Sequence, residues 1–252
     1  MQASAAALDF TLQVERAYDS LVGCVSVNAG PGPGKTDSGE PSLGGKLLYA
    51  AILDADARAL LVAANVAGAA SLAITADPAT QKQAIRDGVV DFGVNSLDEA
   101  LRILKNEIRK RETVAVCICG EPETIEREMR ERGVQPDLRR PVDAAPVPET
   151  QALLSWRVDT APAQWLPKLD AFALECLEEN SGQGVNAAKR WLRLAPRYLG
   201  RMAQGVRLLR CEPNVARAFV ERVRSAGLPV EVEISLSSGL NSSLEVIRIE
   251  PR

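Results

Sequence analysis

The chain has 252 residues, 46% of them hydrophobic and 25% charged, with 30 Lys and Arg against 33 Asp and Glu and a net charge of −3. This balance fits an ordinary soluble globular chain of one or two domains and excludes an overall electrostatic pull toward nucleic acid or a membrane surface. The absence of histidine removes imidazole general bases, Ser-His-Asp and Cys-His nucleophile pairs, and every zinc site that needs a His ligand.

Residues 11–18 carry a short amphipathic helical pattern, and the apolar run 21–27 reads as a strand in need of a partner. Glycines and prolines make residues 28–39 a loop. From Gly45 apolar strands alternate with helical patterns. Strands are predicted over 46–53, 71–75, 91–94 and 114–119, helices over 57–67, 78–86, 97–110 and 122–132, and a last extended piece over 136–138. Such alternation implies right-handed βαβ crossovers and a parallel sheet. Asp77-Pro78 places an N-cap before a proline at the first helical position, and Ser96-Leu-Asp-Glu99 is a capping box. Arg109, Lys110 and Arg111 gather where the macrodipole of their helix favours cations, so they read as helix-end stabilisers on a solvated face.

Residues 139–151 hold three prolines and little periodicity, as a linker does. Beyond it the pattern predicts a strand over 153–158, helices over 164–178 and 185–199, a strand over 206–210 and a helix over 214–226. Two closing strands, 230–236 and 244–249, flank a hairpin-length turn. The expected fold class is α/β, a Rossmann-like parallel sheet domain over 44–140 combined with an α+β domain over 152–252, with a linker at 141–151. Residues 1–43 form an N-terminal segment whose run 21–27 is expected to pair with the C-terminal domain, which would make the parallel domain an insertion.

Cys24, Cys117, Cys119, Cys176 and Cys211 are odd in number and scattered, which predicts reduced thiols in an intracellular protein. Cys117 and Cys119 sit two apart on a strand and read as buried thiols. Met1 to Leu8 is too short for a secretory core, and no apolar run approaches the roughly 18 residues that span a bilayer, so the expected location is cytoplasmic with no membrane partner.

Ala29-Gly-Pro-Gly-Pro-Gly-Lys35-Thr36 fits a relaxed phosphate-loop pattern. Pro31 and Pro33 remove two of the backbone donors such a loop needs, and no good helix opening follows, which favours a connecting loop. A second candidate is the crevice at the C-terminal ends of the parallel strands, where doubly wound sheets bind ligands. Its expected ligand-binding residues are Asp54, Arg58, Asp77, Ser96, Arg139 and Arg140, with an arginine of the last pair holding a carboxylate by a forked hydrogen-bond pair. Asp77 and Ser96 serve equally well as helix caps. The first turn, Leu53-Asp-Ala-Asp-Ala-Arg58, lacks Gly-x-Gly-x-x-Gly, so a dinucleotide pyrophosphate would meet β-carbons and two carboxylates.

Six segments, Gly45-Lys-Leu-Leu, Ala63-Ala-Asn-Val-Ala-Gly68-Ala, Asp77-Pro78, Arg86-Asp-Gly-Val-Val-Asp91, Ser96-Leu-Asp-Glu-Ala-Leu101 and Arg132-Gly-Val-Gln-Pro-Asp137, follow one another over roughly ninety residues. In their order and spacing Gly44 to Asp137 resembles the central Rossmann-type domain of urocanase (urocanate hydratase). The resemblance implies the fold, a shared origin and, for an active member, bound NAD used as an electrophile to add water to urocanate. This chain departs from the family at three places. Leu53-Asp-Ala-Asp-Ala-Arg-Ala-Leu60 stands where the family has a glycine-rich turn, and Arg140-Pro-Val-Asp-Ala-Ala-Pro-Val147 replaces a polar stretch. The family's segment with Arg-Ile-Cys has no counterpart.

The stretch from Asn180 through Cys211 holds no acidic residue and carries seven cations, Lys189, Arg190, Arg193, Arg197, Arg201, Arg207 and Arg210. Trp191, Leu194, Tyr198 and Met202 form a second stripe, and Pro196 is expected to kink the helix. A basic helix over 189–201 offers an anion or nucleic-acid module, against a plain reading as a cationic face over an apolar one. The leading expectation is a urocanase-like protein that binds a small anionic metabolite in the crevice, with the family's catalytic residues lost. The alternatives are an NAD-dependent hydro-lyase and the basic-helix module. The expected partner is a small-molecule ligand rather than nucleic acid, and a twofold homodimer would be common for such a chain.

Overall fold

The computed structural model describes residues 2–28, 39–140, 151–180, 184–203, 205–238 and 245–251. They fall into two compact units, one within Gln13–Ala144 and Arg197–Gly200, the other within Met1–Leu12, Ala145–Pro196 and Arg201–Arg252. Among the described residues no helix is long and apolar enough to cross a membrane.

The chain opens with α1 (Gln2–Asn28), so the run 21–27 is helical and the strand expected there, with its pairing to later strands, is not formed. The reason lies in the spacing. Thr11, Val14, Glu15, Tyr18 and Leu21 are buried at intervals of three and four, and no glycine or proline separates Tyr18 from Leu21 to end that stripe. The phosphate-loop pattern at 29–36 lies outside the described residues, as do nearly all of the expected linker and the expected closing turn beyond Ser238.

The first unit carries a parallel sheet built from β1 (Leu47–Ile52), β2 (Ala70–Thr75), β3 (Phe92–Val94), β4 (Val114–Cys119) and β5 (Leu138–Arg139), in the order β3-β4-β2-β1-β5. Four helices connect the strands: α2 (Ala55–Ala67), α3 (Pro78–Arg86), α4 (Leu97–Lys110) and α5 (Pro122–Glu131). Leu47, Tyr49, Leu72, Ile74, Val116 and Ile118 point to one face and form a core with Leu101 and Leu104 of α4 and Ile125 and Met129 of α5. Strand alternation sends Leu48, Ser71, Ala73, Ala115 and Cys117 to the opposite face, under α2 and α3. Small side chains there let the alanine-rich α2 lie close to the sheet, with Ala59, Ala63, Ala64 and Ala67 all buried.

Gln81 on α3 is buried, and its Nε2 donates to the carbonyls of Val94, at 3.1 Å, and Cys117, at 2.9 Å. This amide explains Gly93, where an added Cβ would stand 2.8 Å from Ile85 Cδ1 and 2.9 Å from Gln81 Cδ. Gly93→Ala is therefore expected to push Gln81 off its two acceptors and cost about 1–3 kcal/mol, the range for leaving a buried polar group unpaired. Urea denaturation checks this, and a Gln81→Ala background should absorb most of the effect.

The second unit carries an antiparallel sheet of β6 (Ala152–Arg157), β7 (Val206–Cys211), β8 (Val232–Ser238) and β9 (Glu245–Ile249), in the order β7-β6-β8-β9. Its described helices include α6 (Pro162–Glu179) and α8 (Pro213–Ser225), which pack together, and α7 (Val185–Leu199) runs through Pro196 into a short 3₁₀ turn. Trp156 is 1% exposed and meets Phe219 of α8 with ring centroids 4.8 Å apart. The architecture is thus mixed α/β, a Rossmann-like parallel sheet with helices plus a separate antiparallel sheet.

Candidate functional site

The connections that leave β1 and β2 run through α2 and α3 on one face, and those that leave β3 and β4 run through α4 and α5 on the other. β2 and β4 are neighbours whose chains depart to opposite faces, so the topological switch point, where open α/β sheets take ligands, lies between their C-terminal ends. Thr75, Asp77, Cys119, Gly120 and Glu121 stand at these ends, and Gly120 N–H donates to the Thr75 carbonyl at 2.9 Å.

A second polar cluster forms at the C-terminal ends of β1 and β5. Ala51 adopts φ 60 beside an irregularity in the register of β1 with β2, and Ile52 behind it is 55% exposed. Asp54 then caps α2, its Oδ1 accepting from Ala57 N–H at 2.8 Å. Its Oδ2 accepts from Arg140 Nη1 at 2.8 Å, and Arg140 Nη2 donates to Asp56 Oδ2 at 2.9 Å. One guanidinium therefore spans two carboxylates of the first turn. Burial pulls the Asp54 carboxyl upward, but the Arg140 bond and the Ala57 amide outweigh it and hold the group below its ordinary value.

The other expected site residues lie apart from this clasp. Arg58 is bound to Asp87 just after α3. Asp77 caps α3, accepting from Ala79 N–H at 2.9 Å, Thr80 N–H at 3.1 Å and Thr80 Oγ1 at 2.7 Å, and the Thr80 hydroxyl leads in lowering its pKa. Ser96 caps α4 through Glu99 N–H at 3.3 Å, while Glu99 reaches back to Asn95 N–H at 3.2 Å. Arg139 stacks over Tyr49 at 5.9 Å, and the Tyr49 hydroxyl donates to Glu126 at 2.7 Å. Burial first and Glu126 second push that phenol well above its ordinary pKa. Of the six expected residues, the structure brings together Asp54 and Arg140; Asp56 completes their cluster and was not among the six.

The residues that carry the sequence resemblance have architectural work at the other end of the sheet as well. Asp137 accepts from Leu47 N–H at 2.9 Å and pairs with Lys46 at 2.9 Å, joining two of the resembling segments. Asp91 accepts from Ala115 N–H at 2.7 Å. These contacts, like the Asp77 and Ser96 caps, hold the fold.

An NAD pyrophosphate would be held by the opening amides of the first βα turn. Here Asp54 already occupies the Ala57 amide, Asp56 adds a second carboxylate, and residues 51–58 contain no glycine to admit a close approach. These residues do not fit a pyrophosphate in that seat.

The basic helix is differently oriented from its expected stripe. Trp191, Leu192, Ala195 and Leu199 are buried, Leu194 and Tyr198 are half-buried, and Arg190 is 7% exposed, on the buried side. Trp191 Nε1 donates to the Leu208 carbonyl at 2.6 Å, which sets the helix's rotation. Lys189 pairs with Glu178 and Arg207 with Asp170. Cys117 is fully buried, and burial pushes its thiol up to about 12. Among the described residues no cluster of Cys, Asp and Glu has a metal-holding arrangement.

Sequence reading missed Gln81, because a glutamine on a polar helix carries no mark of burial. It marked Asp56 as a carboxylate of the first turn but not as a partner of Arg140, since their meeting depends on strand order. Compared with known families, residues 34–143 match the model of the urocanase Rossmann-like domain.

Proposed function

From a urocanase Rossmann-like domain whose first turn is closed by its own side chains, we propose that this protein binds a small anionic metabolite at Arg140 and does not carry out NAD-dependent hydration. The observation behind this reading is the unequal grip on the Arg140 guanidinium. Asp54 is fixed as the cap of α2, whereas the Asp56 side chain is 75% exposed and has Arg140 as its ion-pair partner. An exposed ion pair of this kind contributes roughly 0–1 kcal/mol, so a ligand carboxylate or phosphate can take the Asp56 position on the fork while Asp54 keeps the arginine aimed. Loss of the glycine turn removes the pyrophosphate seat without removing this anion contact.

Succinate and inorganic phosphate are suitable probes, titrated against the full chain by thermal shift. Asp56→Asn is expected to tighten the binding of the better probe by up to about fivefold, the factor equal to roughly 1 kcal/mol. Arg140→Met should abolish it while the chain stays folded by circular dichroism. Binding that survives Arg140→Met contradicts the anion site. NAD released in stoichiometric amount from the denatured protein contradicts the loss of the hydratase cofactor.

A further inference from the structure

β3 is an edge strand of only three residues, and nothing pairs with its outer side among the described residues. Phe92, at its start, is 50% exposed. Its register partner Val116 belongs to the core under α4 and α5, so Phe92 faces the same side of the sheet as α4. Between this ring and α4 runs an open groove of about 670 Å³ lined by Phe92, Ile103, Asn106 and the cations Arg102, Lys105 and Arg109. Glu107 is the acid in its wall, and Lys110 and Asn106 already hold that carboxylate, at 2.9 Å and 2.6 Å. Arg102, Lys105 and Arg109 make no salt bridge among the described residues; Arg102 and Lys105 feel the charge of Asp98, which Arg132 holds, and Arg109 reaches the Asn106 side chain at 3.4 Å.

An aromatic ring left half in water beside an open strand edge is a surface that proteins normally cover or blunt with charge. Here the charge lies beside the ring rather than on it, and its cations outnumber its acid three to one. The macrodipole accounts for Arg109 near the end of α4, but Arg102 and Lys105 stand in the middle of the helix, where it supplies no reason for them. Both the apolar floor and the cationic wall call for the same kind of occupant.

We propose that this groove docks an extended acidic segment of a partner protein, one that sets an apolar side chain on Phe92 and Ile103 and acidic side chains against Arg102, Lys105 and Arg109. The open edge of β3 supplies main-chain donors and acceptors to such a segment, and the groove supplies its selectivity. This surface is separate from the Arg140 clasp, which is at the far edge of the sheet beside β1 and β5.

The test is selection from a random twelve-residue peptide display library on the immobilised full chain, followed by anisotropy of the enriched peptides after fluorescent labelling. The expected result is enrichment of peptides with one or two large apolar residues among Asp and Glu. Their binding should fall at least tenfold with Arg102→Glu plus Lys105→Glu and with Phe92→Ser, and should weaken steeply as salt rises. All three substitutions are at the surface, and Arg140→Met provides a control that should leave peptide binding unchanged. No enrichment, enrichment of basic peptides, or binding indifferent to the substitutions overturns the proposal. A concentration-dependent dimer of the unmodified chain that Phe92→Ser abolishes also overturns it, because a second copy would then cover the groove.

Discussion

Arg207→Ala is expected to lower the unfolding free energy by about 3 kcal/mol at pH 7, the low end for removal of one partner from a buried ion pair. Arg207 Nε lies 3.0 Å from Asp170 Oδ2, and the two side chains keep only 17% and 16% of their surface. Burial raises the Asp170 pKa, and Arg207 opposes that rise. A carboxyl whose folded value lies above its unfolded value favours the fold in its protonated form. Its contribution is complete below the unfolded value and is lost as pH rises through the folded one. Without Arg207 the folded value rises further, so the variant should regain part of its deficit as pH falls from 7 toward 4. Urea titrations at both pH values, followed by tryptophan fluorescence, check the pair. A deficit that is the same at both, or below about 1 kcal/mol at pH 7, would place the arginine in water rather than in a buried pair.

Trp156→Ala should cost about 3–5 kcal/mol, the range for emptying a large aromatic site. Trp156→Phe should cost far less. The indole Nε1 and Asp170 Oδ1 are both buried and reach no full hydrogen-bond geometry, although the indole N–H is close enough to the Asp170 carboxylate to help hold its pKa down. Replacing the indole with a phenyl ring removes that poorly placed donor while keeping the ring contact with Phe219. The two changes act in opposite directions, a smaller ring against a relieved N–H. Equal losses in Ala and Phe variants would mean that the N–H is bound in solution.

Where local signals agreed with one another, the sequence was sufficient. The strand over 114–119 and the helices over 78–86, 97–110 and 185–199 have the bounds the pattern predicts; at 78–86 and 97–110 the capping residues Asp77 and Ser96 favour the same start as the helical period. The segment 21–27 failed because a short apolar run has no period of its own, and the helix before it continued through it. The site was less legible. Caps announce themselves by spacing, so Asp77 and Ser96 could be placed as caps from sequence, but whether an arginine reaches solvent or a carboxylate far away in the chain depends on strand order. Arg140 meets Asp54 only because β5 lies beside β1, a neighbour relation that no local pattern encodes. Arg58 likewise turns to Asp87, 29 residues away and just past the end of α3.

The two-residue strand β5 has little ladder to hold it, yet it is fastened at both ends. Asp137 binds Lys46 and the Leu47 amide before it, and Arg140 binds the first turn after it while its own N–H reaches the Tyr49 carbonyl at 3.1 Å. A rim secured by charges rather than by apolar burial opens at lower free energy than the centre of the sheet, so its amide protons should exchange with deuterium early, and sooner still at high ionic strength. Each such opening would release the arginine and leave β1 as the outermost strand for a moment.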